Sequence, residues 1–372
     1  MASGTLLDIS AAINQSAGIG RYARELTREL IPMLDADSTR LWYAADPIPA
    51  DPGLIDQSPW SSLAVSRSPL SRHNVDRSLR SKTIPLGRLL GSGAPLDSYS
   101  PDFTTPPSTR EHVTIHDLAW LHPEAQTPQD LSTYLGRVMQ RAVERATTIF
   151  TVSETIRDEI LQKFDVRSER VIVAPNAAAP HFFESEPLSQ QDLVTLGIRP
   201  PFCLYVGTIE PRKNLPMLFE AMARLPESVM LVVAGRDGMD APSQLAPIGQ
   251  LALDRRVLRL GYSPEQILSG LYAAAAAVVY PSRYEGYGLP IVEGLAAGVP
   301  VVASDLPVFR EVGGDEIRLF DPVDPDSIAS ALERAIAGDS SQSAREKRKA
   351  QSRKFNWNTS ARIVAQRLQE VG

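Results

Sequence analysis

A single cysteine, Cys203, excludes any intramolecular disulfide in these 372 residues. Its neighbours in Pro201-Phe-Cys-Leu-Tyr-Val-Gly207 read as a buried strand, where a thiol serves as a small apolar filler. Such sparing use of cysteine fits a cytoplasmic location. Basic residues are not in excess: 38 Lys and Arg stand against 44 Asp and Glu, a formal charge of −6, so nucleic acid is not an expected partner. Long apolar runs are missing too. The longest, residues 271–280, falls far short of the roughly 20 residues a membrane span needs. Residues 1–10 lack the charged start and apolar stretch of a secretion signal. No period of 20–50 residues recurs, which excludes a solenoid. The histidines show no metal-ligand spacing, and no metal site is expected.

What is present is an ordinary globular composition, 43% hydrophobic and 22% charged. The length exceeds that of a usual single domain, so two are expected. Short apolar runs alternate with segments of helical period, the mark of parallel sheets covered by helices. Strands are expected at residues 5–9, 39–45, 113–115, 148–152 and 171–174, with helices at 21–34, 131–146 and 154–163. Residues 46–110 follow no clear pattern, and 175–196 have the composition of a linker. A second series places strands at 202–206, 229–234, 257–260, 277–280 and 299–303, followed by helices at 327–337 and from 359. The expected fold is α/β, with two Rossmann-like, doubly wound domains. Their expected bounds are 1–185 and 186–355, with 356–372 as a closing helix.

The most informative stretch is Pro281-Ser-Arg-Tyr-Glu285-Gly-Tyr-Gly288-Leu-Pro290-Ile-Val-Glu293, which follows a buried strand and opens a helix. Pro290 suits a first helical turn. The glycines allow close backbone approach, and a helix start offers amides and a positive dipole end to a diphosphate or to sugar hydroxyls. Glu285 precedes the helix and Glu293 lies about one turn inside it. A second stretch, Gly207-Thr-Ile-Glu210-Pro-Arg212-Lys213-Asn214, sets two cations between a strand and a helix, a fork and a mobile point charge suited to phosphate. Asp35-Ala-Asp37 and Asp324-Pro-Asp326 have the Asp-x-Asp form of a cation site, but they follow a helix and a proline-rich turn and read as solvated loops. Ser153 reads as a helix cap. His73, His112 and His122 read as structural or exposed.

With Glu285 and Glu293 set in this frame, the chain resembles the retaining glycosyltransferases of family 4, which have the GT-B fold. That resemblance implies two domains facing across a cleft and a last helix that crosses back to the N-terminal domain. It implies that Glu285 holds hydroxyls of a donor sugar and Glu293 the ribose, with the loop Gly286, Tyr287, Gly288 and Leu289 beside them. Lys213 matches the family's diphosphate lysine. Thr208 stands where many members carry arginine, a charge that Arg212 can supply. Gly207 ends the strand before this loop. The nucleotide base is implied near Gly261-Tyr262-Ser263, and for Arg236 and Tyr262 ligand contact and loop structure both stand. Gly18 and Gly20, in Ala17-Gly-Ile-Gly-Arg-Tyr22, resemble the family's first glycine-rich loop. His116 and Asp117 resemble those of its mannosyltransferase-like members, across the cleft from Glu285.

The implied reaction moves a hexose from a nucleotide diphosphate sugar, a co-substrate with no further cofactor. GDP-mannose is the leading donor and UDP-glucose or another UDP- or ADP-hexose the runner-up. The acceptor would be a saccharide or a lipid-linked saccharide, the latter bringing peripheral contact with the cytoplasmic membrane face. Arg212 and Lys213 would stabilise the leaving diphosphate. Two readings from other classes stand beside this one. A nicotinamide oxidoreductase shares the alternation but would need an intact cofactor fingerprint, which Gly18-x-Gly20 is not. A non-catalytic nucleotide-sugar sensor would keep Lys213 and Glu293 but have less use for His116.

Overall fold

The computed structural model describes residues 4–16, 18–68, 70–71, 97–104, 106 and 108–370, so His73 and Ala17 lie outside the described residues. The chain divides into two compact units. The first comprises residues 1–118, 129–176 and 356–372, and the second residues 119–128 and 177–355.

The first unit is built on a parallel sheet of seven strands: β1 (Thr5–Asp8), β2 (Thr39–Tyr43), β3 (Ala64–Arg67), β4 (Asp97–Ser100), β5 (Arg110–Ile115), β6 (Ala146–Thr151) and β7 (Val171–Val173). Their order is β3-β2-β1-β4-β5-β6-β7. β1 pairs with both β2 and β4, so strand addition reverses beside it. The helix Ile19–Leu30 buries Tyr22, Leu26 and Leu30 at helical spacing. Against it packs the closing helix, Trp357–Glu370, through Trp357, Ala361, Val364 and Leu368. Polar bonds fix this docking: Asn358 Nδ2 donates to Glu29 (2.8 Å) and Ser360 Oγ to the Pro175 carbonyl (2.6 Å).

The second unit has six parallel strands: β8 (Phe202–Val206), β9 (Met230–Ala234), β10 (Val257–Gly261), β11 (Ala277–Tyr280), β12 (Val301–Ser304) and β13 (Ile317–Phe320). The order is β10-β9-β8-β11-β12-β13. Every residue of β8 and β9 is buried, as expected where helices cover both faces of a parallel sheet. Cys203, the second residue of β8, is fully buried, and burial pushes its thiol up to about 12. Here too the winding reverses, between β8 and β11, strands more than seventy residues apart in sequence that lie side by side.

Several expectations need revision. Residues 46–110 hold β3 and β4, and 175–196 hold two short helices, Pro180–Phe183 and Gln190–Thr195, the latter opened by a Ser189–Asp192 capping box. β13 is a sixth strand of the second sheet, concealed by the arginine within Ile-Arg-Leu-Phe. Ser153 does cap its helix, accepting from the Ile156 amide at 3.2 Å. Among the described residues no helix is long and apolar enough to cross a membrane.

Candidate active site

In open α/β sheets, ligands bind beyond the carboxyl ends of the strands, where the winding reverses. In the second unit those ends belong to β8 and β11. β8 leads into the loop of Gly207 and Thr208 and a short turn, Pro211–Lys213, while β11 leads into the loop of Glu285. Adjacency of the strands therefore brings the two motifs together. Arg212 Nη1 donates to Glu285 Oε2 at 2.7 Å, and Lys213 Nζ donates to Glu285 Oε1 at 2.5 Å. Arg212 Nε also pairs with Glu210 at 2.8 Å, and Lys213 Nζ donates to the Tyr280 hydroxyl at 2.7 Å.

This cluster is largely removed from water: Lys213 is 5% exposed and Glu285 8%. Burial pushes the Glu285 carboxyl up, but Arg212 and Lys213 outweigh it and hold the group at about 2. The Lys213 pKa is lowered too, by burial and by Arg212 more than the carboxylates raise it, and for an amine that disfavours the charged form. What Glu285 gains from the cluster is thus partly lost at Lys213, as is usual for buried charges. The cluster positions groups more than it stabilises the fold.

The helix Leu289–Ala296 starts from Gly288, whose φ of +108° is a conformation that side chains resist. Gly288, at the cap position, has no side chain to bond the amides of the first turn. Inside the helix Glu293, 1% exposed, accepts from the Tyr272 hydroxyl at 2.8 Å. The Tyr287 ring is buried, edge-on to Phe355 at 5.9 Å. Beyond β9 and β10, the Arg236 guanidinium sits 4.5 Å from the centre of the exposed Tyr262 ring. The strand ends are crowded. A Cβ on Gly235 would lie 1.8 Å from the Gly207 carbonyl oxygen, and one on Gly238 2.5 Å from Thr208 Cγ2.

In the first unit, Gly18 and Gly20 open the helix Ile19–Leu30 after β1. A Cβ on Gly20 would meet the Gln15 carbonyl oxygen at 1.9 Å. His116 and Asp117 follow β5. His116 Nε2 lies 2.9 Å from the Pro101 carbonyl, just beyond β4, and its ring stands edge-on to Tyr22 at 4.7 Å. Burial lowers its pKa, against opposing effects from Pro101, Asp102 and Asp117, which favours the neutral imidazole at neutral pH. The bond to a carbonyl then places the ring proton on Nε2. His112 is fully buried within β5, 3.5 Å from Asp97. The two Asp-x-Asp pairs serve local turns: Asp35 accepts from Ser38 Oγ, and Asp324 caps a helix through the Asp326 amide. Among the described residues no three His, Cys, Asp or Glu side chains are grouped as metal ligands would be.

Residues 195–355 match the family model for glycosyl transferases group 1. The O-antigen chain mannosyltransferase B of Escherichia coli is 30% identical over 358 residues, covering 91% of this chain and 92% of that protein. The chain belongs to the glycosyl transferases group 1. Another relative is the O-antigen chain mannosyltransferase RfbU of Salmonella typhimurium, 29% identical over 62% of each chain. Among solved structures, this glycosyltransferase is similar to the sucrose-phosphate synthase of Thermosynechococcus elongatus (TM-score 0.80, 20% identity, 100% and 99% of the two chains). It is also similar to Anabaena HepE in complex with UDP and glucose (TM-score 0.75, 19% identity, 99% and 100%). These likenesses establish the fold of this glycosyltransferase as GT-B.

Four residues of the second unit that the sequence does not single out support the site. Tyr272 and Tyr280 read as apolar, and their hydroxyls prove to hold Glu293 and Lys213. Asn214, 2% exposed and in left-handed backbone (φ +59°), donates to the carbonyls of Pro281 (3.0 Å) and Pro322 (2.8 Å) and so locks the cationic turn beneath the Glu285 loop. His122 belongs to the segment 119–128, which joins the second unit although it follows β5. Its ring stacks on Tyr284 at 4.2 Å, immediately before Glu285. The Asn214 position between Lys213 and a helix could have signalled a turn; His122 stands in Leu121-His-Pro-Glu124, a pattern that resembles the mannosyltransferase-like members, although by itself it reads as structural or exposed.

Proposed function

We propose that this glycosyltransferase moves mannose from GDP-mannose to a hydroxyl of a saccharide or lipid-linked saccharide, retaining the anomeric configuration and using no metal ion. One observation carries the reading: Arg212, Lys213 and Glu285 meet at the carboxyl ends of β8 and β11, where this fold class binds nucleotides. Mannose is supported by the names of the bacterial relatives. Retention is supported by the resemblance of the Glu285 and Glu293 frame to family 4.

The chemistry follows from charge. As the bond from C1 to the phosphate oxygen breaks, negative charge grows on the diphosphate. Arg212, Lys213 and the start of the helix Leu289–Ala296 supply fixed positive potential there, with little reorganisation in a dry site. These cations do the work a metal would otherwise do. The acceptor oxygen bonds to C1 on the face the phosphate leaves, and its proton passes to the departing phosphate oxygen. No protein nucleophile is required. Glu285 would receive sugar hydroxyls and Glu293 the ribose. Gly207, Thr208, Arg236 and Tyr262 would complete the donor side; by the family resemblance Gly18 and Gly20 would serve the donor phosphates and the acceptor, and His116 and Asp117 the reacting sugar. A lipid-linked acceptor would hold the enzyme at the cytoplasmic face of the membrane.

The test is a thermal-shift series with GDP-mannose, UDP-glucose and ADP-glucose, followed by product analysis of whichever donor binds. GDP-mannose should raise the melting point, turnover should persist in EDTA, and Lys213→Ala should slow it by roughly 10²–10³-fold. A shift with UDP-glucose alone would reassign the donor. Loss of turnover in EDTA would refute metal independence, and an inverted product anomer would refute retention. If no nucleotide sugar raises the melting point, the donor-site reading fails.

A further inference from the structure

Both cations that the donor diphosphate would need are already engaged by carboxylates of the protein itself. Glu285 spans them, one oxygen on Arg212 at 2.7 Å and the other on Lys213 at 2.5 Å. Glu210 takes a further face of Arg212. Counting formal charges, the two cations and two carboxylates sum to zero, so the cluster offers an arriving diphosphate no net positive charge until a carboxylate withdraws. Glu210 is half-buried and can turn toward solvent, whereas Glu285 is buried and cannot be hydrated where it stands. A carboxylate separated from its cations and still buried needs new donors, or it costs free energy.

We propose that Glu285 acts as an internal substitute for the diphosphate, competing with it for Arg212 and Lys213 and thereby weakening the binding of nucleoside diphosphate relative to nucleotide sugar. This rests on the donor-site reading above. When an intact donor binds, the diphosphate takes the two cations and the released carboxylate accepts hydroxyls of the sugar, so its displacement is compensated. A nucleoside diphosphate displaces the same carboxylate and brings no hydroxyl to receive it. The device favours donor over spent product, and it returns the cluster to its neutral state when the product leaves. Tyr280 keeps Lys213 in place through the exchange, because its hydroxyl bond to Nζ does not involve Glu285.

Titration calorimetry of the full chain with GDP and with GDP-mannose, UDP and UDP-glucose alongside, tests this in the wild type and in Glu285→Gln. The amide keeps the size of the side chain and removes the competing charge. GDP should bind Glu285→Gln at least about fivefold more tightly than the wild type, the lower range of couplings between sites, while GDP-mannose binds no more tightly. Glu285→Asp keeps the charge but is too short to span both cations, and it should shift GDP binding the same way by less. This second variant decides the matter if the first does not fold. A folded Glu285→Gln or Glu285→Asp protein that binds GDP no better than the wild type overturns the proposal while the donor site stands. Wild-type protein that binds none of the four ligands overturns the donor-site reading and this proposal with it.

Discussion

Replacing Tyr272 by phenylalanine would remove one oxygen atom and nothing else. The ring is fully buried and packs edge-on to Phe182 at 5.4 Å, a contact that phenylalanine keeps. What disappears is the 2.8 Å bond from the hydroxyl to Glu293, itself 1% exposed. A buried hydrogen bond to a carboxylate contributes about 1.5–3 kcal/mol. For a unit of about 190 residues, each kcal/mol moves the melting point by roughly 2–4 °C, so Tyr272→Phe should lower it by about 3–12 °C. The second readout is the donor KM. With Glu293 no longer oriented, KM for the nucleotide sugar should rise by up to about tenfold, equivalent to 1.4 kcal/mol, with kcat little changed because the ribose is remote from the breaking bond. Calorimetry and initial rates on the same preparation measure both. A melting point within a degree of wild type together with an unchanged KM would show that the hydroxyl does not position Glu293.

Gly235→Ala should destabilise by about 1–3 kcal/mol or more, because the new Cβ would sit 1.8 Å from a backbone oxygen that cannot swing away. Gly249→Ala, with nothing within 4 Å of its Cβ, is the control and should be neutral or stabilising by up to about 1 kcal/mol, both read from urea midpoints. Acid should act through Glu285. Its folded pKa of about 2 lies below the ordinary 4.5, so its contribution is present above 4.5 and is lost as pH falls toward 2. The wild-type urea midpoint should therefore fall faster than that of Glu285→Gln as the pH drops from about 5 to 3, the two differing by at most about 3 kcal/mol. Parallel curves would refute that account.

Residue order alone determined the second unit almost completely. β8 and β11 appear at their observed bounds because a parallel strand covered on both faces must be apolar throughout, and such runs are visible without a structure. The frame from Pro281 to Glu293 was equally plain, since glycine and proline mark where backbone must bend or a helix begin. β4 was hidden for the opposite reason. Its residues, Asp97-Ser-Tyr-Ser100, are polar yet all buried in the middle of a sheet. Each is satisfied by a partner from elsewhere: Asp97 by both arms of Arg110 (2.6 Å), Ser98 by Ser108 (2.8 Å), Tyr99 by Thr114 (3.1 Å) and Ser100 by Asp8 (3.4 Å). Polarity marks a strand as exposed only while those partners are unknown. The same distinction governs the site. Residue types and spacing named Arg212, Lys213 and Glu285, but their meeting depends on β11 pairing with β8. Their tyrosine and asparagine supports follow from that adjacency, and the His122 stack from the segment 119–128 joining the second unit, because contacts between residues 67 or more positions apart leave no local pattern to read.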